Sequence, residues 1–187
     1  DDGSYTLTPA QLQGLTVTPP SNSDQDLHLS ITATTTEREG DIHHTTIDHL
    51  VTVKADADAP QLTAQAASGN EDTAIDLHIA SRLTDIDGSE SLSITISDLP
   101  KGAVLSAGTL NANGSYTLSV DHLAGLTITP PANSDADFTL TVSATSLEAE
   151  NGDRASTVLS LPVSVSAVAD TPEIATTLSH GQEDHFI

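Results

Sequence analysis

The chain has 187 residues, with 27 acidic and 5 basic side chains, and a formal net charge of −22. It has no cysteine, which excludes disulfides and thiolate metal sites, and its basic residues are scattered, which argues against a phosphate-binding surface for nucleic acids. No apolar run reaches the roughly 20 residues of a membrane-spanning helix, so membrane insertion is not expected.

Alternating apolar and polar residues predict a protein built mainly from strands. The first predicted element is one helical turn at residues 8–14, with Thr8 as N-cap, Pro9 at the first helical position and Gly14 after its end; residues 120–125 repeat it without the proline. Strands are predicted over residues 73–79, 91–97, 103–107, 115–119, 126–130, 138–144 and 158–168. Pro162 cannot donate to a ladder, so the last strand is expected at a sheet edge or with a bulge. The set predicts an all-β, antiparallel sandwich of two sheets.

Long stretches of the sequence occur twice. "TPPSNSDQDLHLSITAT" at 18–34 returns as "TPPANSDADFTLTVSAT" at 129–145, and Gly114 stands 111 positions after Gly3. After a one-residue insertion the offset is 112, and "ADAP" at 57–60 returns as "ADTP" at 169–172. A period of this size suits a sandwich domain rather than a solenoid unit.

The repeat predicts that the sequence covers one part of a tandem array of domains. Residues 1–58 are expected to be the C-terminal half of one repeat, residues 59–170 a complete sandwich, and residues 171–187 the start of a third repeat. Because residues 1–58 then lack half of their sandwich, their exposed edges are expected to invite pairing with another chain.

Acidic residues recur at the turns between these strands. Asp135 and Asp137 stand two apart on an extended segment, so their side chains point the same way, and Asp24 and Asp26 repeat the pair. Two carboxylates held about 4 Å apart repel by about 1 kcal/mol in water and about 4 at an effective dielectric near 20, so such pairs either stay solvated or hold a cation. Ca²⁺ takes about 6–8 oxygen ligands in irregular geometry, so several acidic segments would have to converge.

The complete repeat resembles a bacterial cadherin-like, immunoglobulin-like domain of the large RTX adhesins that type I secretion exports. The resemblance covers residues 59–170 and rests on Glu71 in "NEDT", on "SDADF" at 134–138, on "AVADTP" at 167–172 and on "DIDG" at 85–88. "SDADF" has Ala where cadherins carry Arg and Asp where they carry Glu, and the linker keeps only Asp170 of its usual acids.

This resemblance implies calcium at each junction between repeats. The first junction would combine Asp24, Asp26, Asp56 and Asp58 with Asp85 and Asp87. The second would combine Glu71, Asp135, Asp137 and Asp170. The implied function is that of a calcium-rigidified extender of a secreted adhesin at the bacterial cell surface, acting in cell adhesion and biofilm formation, with neighbouring repeats as its partners and no enzymatic activity.

Other functions remain open at this stage. A β-sandwich that binds a carbohydrate or another cell-surface ligand is the main alternative, although such modules usually present aromatic side chains and only four aromatic residues are present. The acids of this chain also suit turn capping, and Asp72 and Glu90 suit it better than the others do. His43, His44 and His49 suggest zinc weakly, because the repeated stretch has no histidine, and a glycosidase-type carboxylate pair lacks an aromatic cleft.

Overall fold

The computed structural model describes residues 3–184 of the chain. Within this range the secondary structure consists of strands and two 3-10 turns, Pro9–Leu12 and Val120–Leu123. The strands are β1 Leu27–Thr36, β2 Ile42–Val51, β3 Gln61–Ala64, β4 Ala67–Asn70, β5 Ile75–Asp76, β6 Ile79–Arg82, β7 Glu90–Ser97, β8 Val104–Leu105, β9 Thr109–Leu110, β10 Tyr116–Leu118, β11 Thr127–Thr129, β12 Phe138–Glu148 and β13 Arg154–Ser166. The predicted all-β class is confirmed.

Residues 59–166 form a β-sandwich. One layer is a six-stranded sheet in the order β4-β13-β12-β7-β10-β9, and the other consists of β5-β11-β8 and the pair β3-β6. Alternate residues of β12 and β13 point between the layers, so that Leu140, Val142, Leu161 and Val163 are almost completely buried. The core consists mainly of aliphatic residues, in keeping with the low aromatic content.

Two details differ from the predicted antiparallel sandwich. Strand β4 pairs with β13 in the parallel direction, from Val163↔Ala67 to Ser166↔Asn70. The single strand predicted over 73–79 is two short strands, β5 and β6, in different sheets. Alternation along the sequence reports which side chains are buried, but it carries no information about the direction of the neighbouring strand.

The prediction that the strand of Pro162 lies at a sheet edge is wrong, because β13 is flanked by β4 and β12, but Pro162 lies just before the stretch that pairs with β4. It faces Thr139 of β12 on one side, while β4 begins its pairing with β13 only at Val163. The missing N–H of Pro162 therefore interrupts no ladder.

The N-terminal part, residues 3–53, shares one hairpin and one 3-10 turn with residues 114–165. The hairpin β1-β2 pairs Leu27 with Val51, and β12-β13 pairs their sequence equivalents Phe138 and Val163. Both 3-10 turns have the same capping arrangement, Thr8 with Gln11 and Ser119 with His122. The sequence match between the two stretches thus extends to strand register and turn geometry.

The two matching stretches differ in what covers them. Val142 is 0% exposed, whereas its equivalent Ile31 is 47% exposed. Tyr116 is 8% exposed, whereas its equivalent Tyr5 is 90% exposed. Among residues 3–184, no counterpart of β3 to β9 packs on the apolar face of the N-terminal part.

No helix within residues 3–184 is long and apolar enough to cross a membrane.

A pair of matched substitutions tests this difference in burial. Val142→Ala is expected to lower the free energy of unfolding of the sandwich by about 2 kcal/mol, because it leaves a cavity in a packed core. Ile31→Ala removes more atoms at the equivalent position but is expected to cost less than about 0.5 kcal/mol, because that side chain is already in water. Urea unfolding followed by circular dichroism measures both, and similar losses would contradict the exposure of the hairpin face.

Candidate functional site: an acidic junction

A cavity of about 290 Å³ lies where the N-terminal part meets the sandwich. Its walls come from residues 19–24 of the N-terminal part, from the connecting residues 53–58, and from the sandwich loop that contains Asp85 and Ser89 together with the end of β12. We call it the junction cavity. Its acidic lining residues are Asp24, Asp56, Asp58, Asp85 and Glu148. Lys54 is its one basic lining residue.

Side chains of the sandwich hold the connecting segment in place. The Asn151 amide donates to the carbonyl of Ala55 at 2.7 Å, and the Ser146 hydroxyl donates to the carbonyl of Asp58 at 2.6 Å. Thr84 and Thr157 donate in the same way to the carbonyls of Ala59 and Pro60, at 2.7 and 2.6 Å. Four carbonyls of residues 55–60 thus accept side-chain hydrogen bonds, which orders the connecting segment and the entry to the sandwich, neither of which belongs to a strand or a helix.

The loop between β6 and β7 is shaped by its own aspartates. Asp85 Oδ1 accepts a hydrogen bond from the N–H of Asp87 at 2.9 Å, and Asp87 Oδ1 accepts one from the N–H of Ser89 at 2.8 Å. These are Asx turns, the capping role that the sequence left open for such residues. Asp85 is nonetheless buried and lines the junction cavity, while Asp87 is exposed.

Two glutamates face each other in the sheet beside this cavity. Glu90 of β7 pairs directly with Glu148 of β12, and their side chains are 9% and 2% exposed. Like charges directly opposite each other destabilise a sheet, and burial strengthens the repulsion. Glu90 Oε1 accepts a hydrogen bond from the N–H of Asp58 at 2.7 Å, while its Oε2 is buried without a hydrogen-bond partner.

The pKa of Glu90 reflects this crowding. Burial raises the pKa of its carboxyl, and the charges of Asp85, Asp58 and Glu148 raise it further, against the opposing effect of the hydrogen bond from the N–H of Asp58. Asp85, Asp58 and Glu148 are therefore each close enough to Glu90 to act on it electrostatically.

The exposed acids at the rim behave in the opposite way. The hydroxyl and N–H of Ser89 lower the pKa of Asp87, and the N–H of Asp24 contributes to the same effect across the junction. The N–H groups of Arg154 and Ala57 lower the pKa of Asp153, with a smaller effect from Lys54.

The structure brings most of the first predicted group together. Asp24, Asp56, Asp58 and Asp85 line one cavity, and Asp87 contacts Asp24 beside it. Asp26 has a different role, because its Oδ1 accepts the N–H of Val53 at 2.9 Å.

The second predicted group is less well assembled. Asp137 Oδ1 accepts the N–H of Val165 at 2.7 Å, which repeats the bond of Asp26, and Glu71 Oε1 accepts the N–H of Val168 at 2.8 Å. Both acids therefore hold the end of β13. Asp135 and Asp170 are exposed, and the hydrogen bonds of residues 3–184 do not connect them to this pair.

Sequence reasoning left Glu148, Asn151 and Asp153 out of the site, and it treated Glu90 as a turn-capping residue. A signal for Glu148 was present, because it continues the inward alternation of Leu140, Val142, Ala144 and Ser146 along β12. It also repeats Glu37 at the offset of 111. The histidines stay peripheral: exposed His43 lies 3.6 Å from Asp41, and His44 bonds to Thr34.

The donor set of the junction fits a hard cation better than a transition metal. All of its acidic groups offer oxygen, and the unpartnered Glu90 Oε2 is a buried atom that a cation could satisfy. Within the described residues, however, no three His, Asp or Glu side chains converge closely enough to form a metal-binding group. Exposed Asp56 and half-buried Asp24 would have to turn inward to complete one.

Comparison with known protein families gives no matching family model, and comparison with curated proteins gives no match. The functional assignment therefore depends on the residues and geometry of the junction.

Titration of Glu90 is expected to influence stability in metal-free buffer. A carboxyl whose pKa is raised in the folded state binds its proton more tightly there, so its contribution to the free energy of unfolding grows as pH falls through the folded-state pKa. Below the unfolded-state pKa this contribution is complete. Near neutral pH, Glu90→Gln is therefore expected to increase the free energy of unfolding on the order of 1 kcal/mol, by removing like-charge repulsion.

Urea unfolding between pH 4 and 8 in chelator measures the difference between variant and wild type, with Glu150→Gln as the exposed control from the same loop region. Equal curves for Glu90→Gln and wild type would show that Glu90 is not under electrostatic strain.

Proposed function

We propose that this chain is a spacer segment of an extended extracellular protein, in which Ca²⁺ locks successive β-sandwiches end to end. The observation that carries the proposal is the burial of Glu90 opposite Glu148 beside a cavity lined by acids from both sides of the junction. Folding gains little from such an arrangement unless a cation neutralises it.

Residues Asp24, Asp56, Asp58, Asp85, Glu90 and Glu148 would hold the ion. When bound, calcium supplies positive charge and several oxygen-ligand bonds at once. The protein's own contribution is geometric. The carbonyls of Ala55, Asp58, Ala59 and Pro60 are already tied to the sandwich, so an ion needs to capture only the rim acids to fix the angle between the two parts.

Repetition supports a mechanical role. The N-terminal part reproduces the β12–β13 register and the capped 3-10 turn, and Glu37 stands where Glu148 stands in the sandwich. A junction built from repeated positions would recur along an array, so that rigidity becomes a property of the whole length. On the basis of the resemblance to RTX adhesins, the proposed location of the spacer is the bacterial cell surface, and its proposed role is in adhesion and biofilm formation.

A glycan-binding or cell-surface-binding module is the second candidate. An open cavity of about 480 Å³ lies between β3, β6 and the Val120–Leu123 turn, lined by polar residues that include Gln65, Asp76 and His78. Its lining contains no aromatic side chain on which a sugar could stack. Binding of the intact chain to a glycan array, abolished by His78→Ala, would favour this function over the spacer.

Calcium is expected to raise the melting temperature and lengthen the molecule. A ligand at 100 times its dissociation constant stabilises the folded state by about 2.7 kcal/mol, and extracellular calcium modules typically bind at about 10⁻⁴–10⁻³ M. Calorimetry and small-angle X-ray scattering of the full chain, with calcium and with chelator, measure the two effects.

Substitution at the junction separates specific binding from general screening. Glu148→Gln is expected to remove most of the calcium-induced shift, while Asp121→Asn, an exposed acid of the second 3-10 turn, leaves it intact. Magnesium at equal ionic strength is the control for screening. Identical melting temperatures and scattering curves with calcium and with chelator would reject the proposal.

A further inference from the structure

The turn between β12 and β13 holds the connecting residues 53–58, the connector, at two points. The Asn151 amide Nδ2 donates to the carbonyl of Ala55 at 2.7 Å, and the N–H of Ala57 donates to Asp153 Oδ2 at 3.4 Å. Ala55 is only 4% exposed, so water has little access to it. Loss of the Asn151 donor would therefore leave a buried carbonyl without its partner.

Asn151 is the residue by which this turn exceeds its equivalent in the N-terminal part. Glu148 matches Glu37 at the offset of 111, whereas Gly152 matches Gly40 at the offset of 112. The shorter turn between β1 and β2 therefore has no counterpart of Asn151. The side-chain hydrogen bond from this turn to the connector comes from a residue that only one of the two matching turns contains.

Glycine follows Asn151, and this neighbour lets an asparagine side chain react with the backbone. Because Gly152 has no Cβ, its nitrogen can approach the Asn151 side chain without steric obstruction. This nitrogen bonds to Cγ of Asn151, and its proton leaves with the amide group as ammonia. Water then opens the resulting succinimide at either carbonyl. The net reaction consumes water and converts the amide into a carboxylate, as aspartate or isoaspartate, and an ammonium ion, with no oxidant or reductant.

The folded junction restrains Asn151 against this reaction. Its Oδ1 accepts the N–H of Asp153 at 2.7 Å while its Nδ2 is bound to Ala55, so both ends of the amide are held. The N–H of Gly152 donates to the carbonyl of Glu148 at 3.0 Å. Ring closure requires the amide to rotate and the Gly152 nitrogen to leave its hydrogen bond. Of these three restraints, the bond to Ala55 is the one that the connector supplies.

The other Asn-Gly pair of the chain, Asn113–Gly114, has the same local geometry without the connector. Asn113 Oδ1 accepts the N–H of Ser115 at 3.1 Å, and the N–H of Gly114 donates to the carbonyl of Asn111 at 3.0 Å. The φ angles of Gly114 and Gly152 are 85° and 74°. Within residues 3–184, the side-chain hydrogen bonds of Asn113 stay inside its own turn. This pair is therefore a matched control inside the same molecule.

We propose that Asn151 is a site of spontaneous deamidation that is coupled to the junction in both directions. The bound connector slows the reaction, and opening of the junction speeds it. The product carboxylate has no N–H to donate to the Ala55 carbonyl, and it adds a negative charge to a junction that already contains Asp56, Asp58 and Glu148. The connector then binds less tightly, so an opening that ends in deamidation is permanent. The inference goes beyond the spacer function and does not depend on calcium.

Peptide mass spectrometry of the full chain, aged in chelator, tests the protection of Asn151. The chain unfolded in urea gives the intrinsic rate at each site. Relative to that rate, Asn151 of the folded chain is expected to deamidate at least about 5-fold more slowly than Asn113, because one further hydrogen bond must break. Equal normalised rates at the two sites would overturn the inference.

A variant with a loosened connector tests whether the protection comes from the junction. Thr84→Val with Thr157→Val removes two donors to the carbonyls of Ala59 and Pro60 while keeping the shape of both side chains. It is expected to raise the rate at Asn151 and leave the rate at Asn113 unchanged, which also shows that the sandwich stays folded. An unchanged rate at Asn151 would overturn the coupling.

Limited trypsin digestion in chelator tests the effect of the product. The Lys54–Ala55 bond lies in the connector, so its cleavage reports release, and cleavage after exposed Lys101 is the internal reference. Asn151→Asp is expected to speed cleavage after Lys54 at least about 5-fold, whereas Asn113→Asp adds the same charge elsewhere and leaves it unchanged. Equal cleavage after Lys54 in Asn151→Asp and wild type would show that deamidation does not release the connector.

Discussion

The attachment of the connector to the sandwich is the contact on which the junction depends. Side chains of Thr84, Ser146, Asn151 and Thr157 donate to its carbonyls, and the Glu90 carboxylate accepts the N–H of Asp58. The connector therefore satisfies its polar backbone groups against the sandwich instead of against a neighbouring strand. This places the aspartates of the connector over Glu90 and Glu148, and the high density of negative charge follows from how the backbone is held.

The acids of the junction divide into two kinds by their burial. Asp87 and Asp153 are exposed, accept backbone N–H groups and have lowered pKa values, so they are stable as anions without help. Glu90 is buried, its pKa is raised, and one of its oxygens has no partner. The exposed acids shape loops. The buried Glu90 is destabilised by desolvation and by neighbouring negative charges. This distinction connects the geometry to the proposed calcium role better than the number of acids does.

Much of the fold was predictable, because alternation in β12 and β13 determines which side chains face inward. The repeat predicted equivalent positions, and the register of both hairpins agrees with it. The family resemblance also implied that Asp24, Asp56, Asp58 and Asp85 would meet, and they line one cavity. It missed that Glu148 lies opposite Glu90, because strand pairing is a long-range property with no local signature. Likewise, Asp26 and Asp137 look like ligands in sequence, but each accepts a backbone N–H at the far end of its hairpin, from Val53 and Val165.

The parallel pairing of β4 with β13 has a consequence for a chain under tension. The backbone enters the sandwich at the junction, passes through β3 and continues into β4, which bonds in parallel to the end of β13, where the backbone leaves after Ser166. Pulling on the two ends draws β4 toward the junction and β13 away from it, so the load runs along the strands. Hydrogen bonds from Ala67 to Asn70 then share the force and must fail together instead of opening one after another. A sandwich with this strand topology is expected to resist stretching, because the force loads several hydrogen bonds at once.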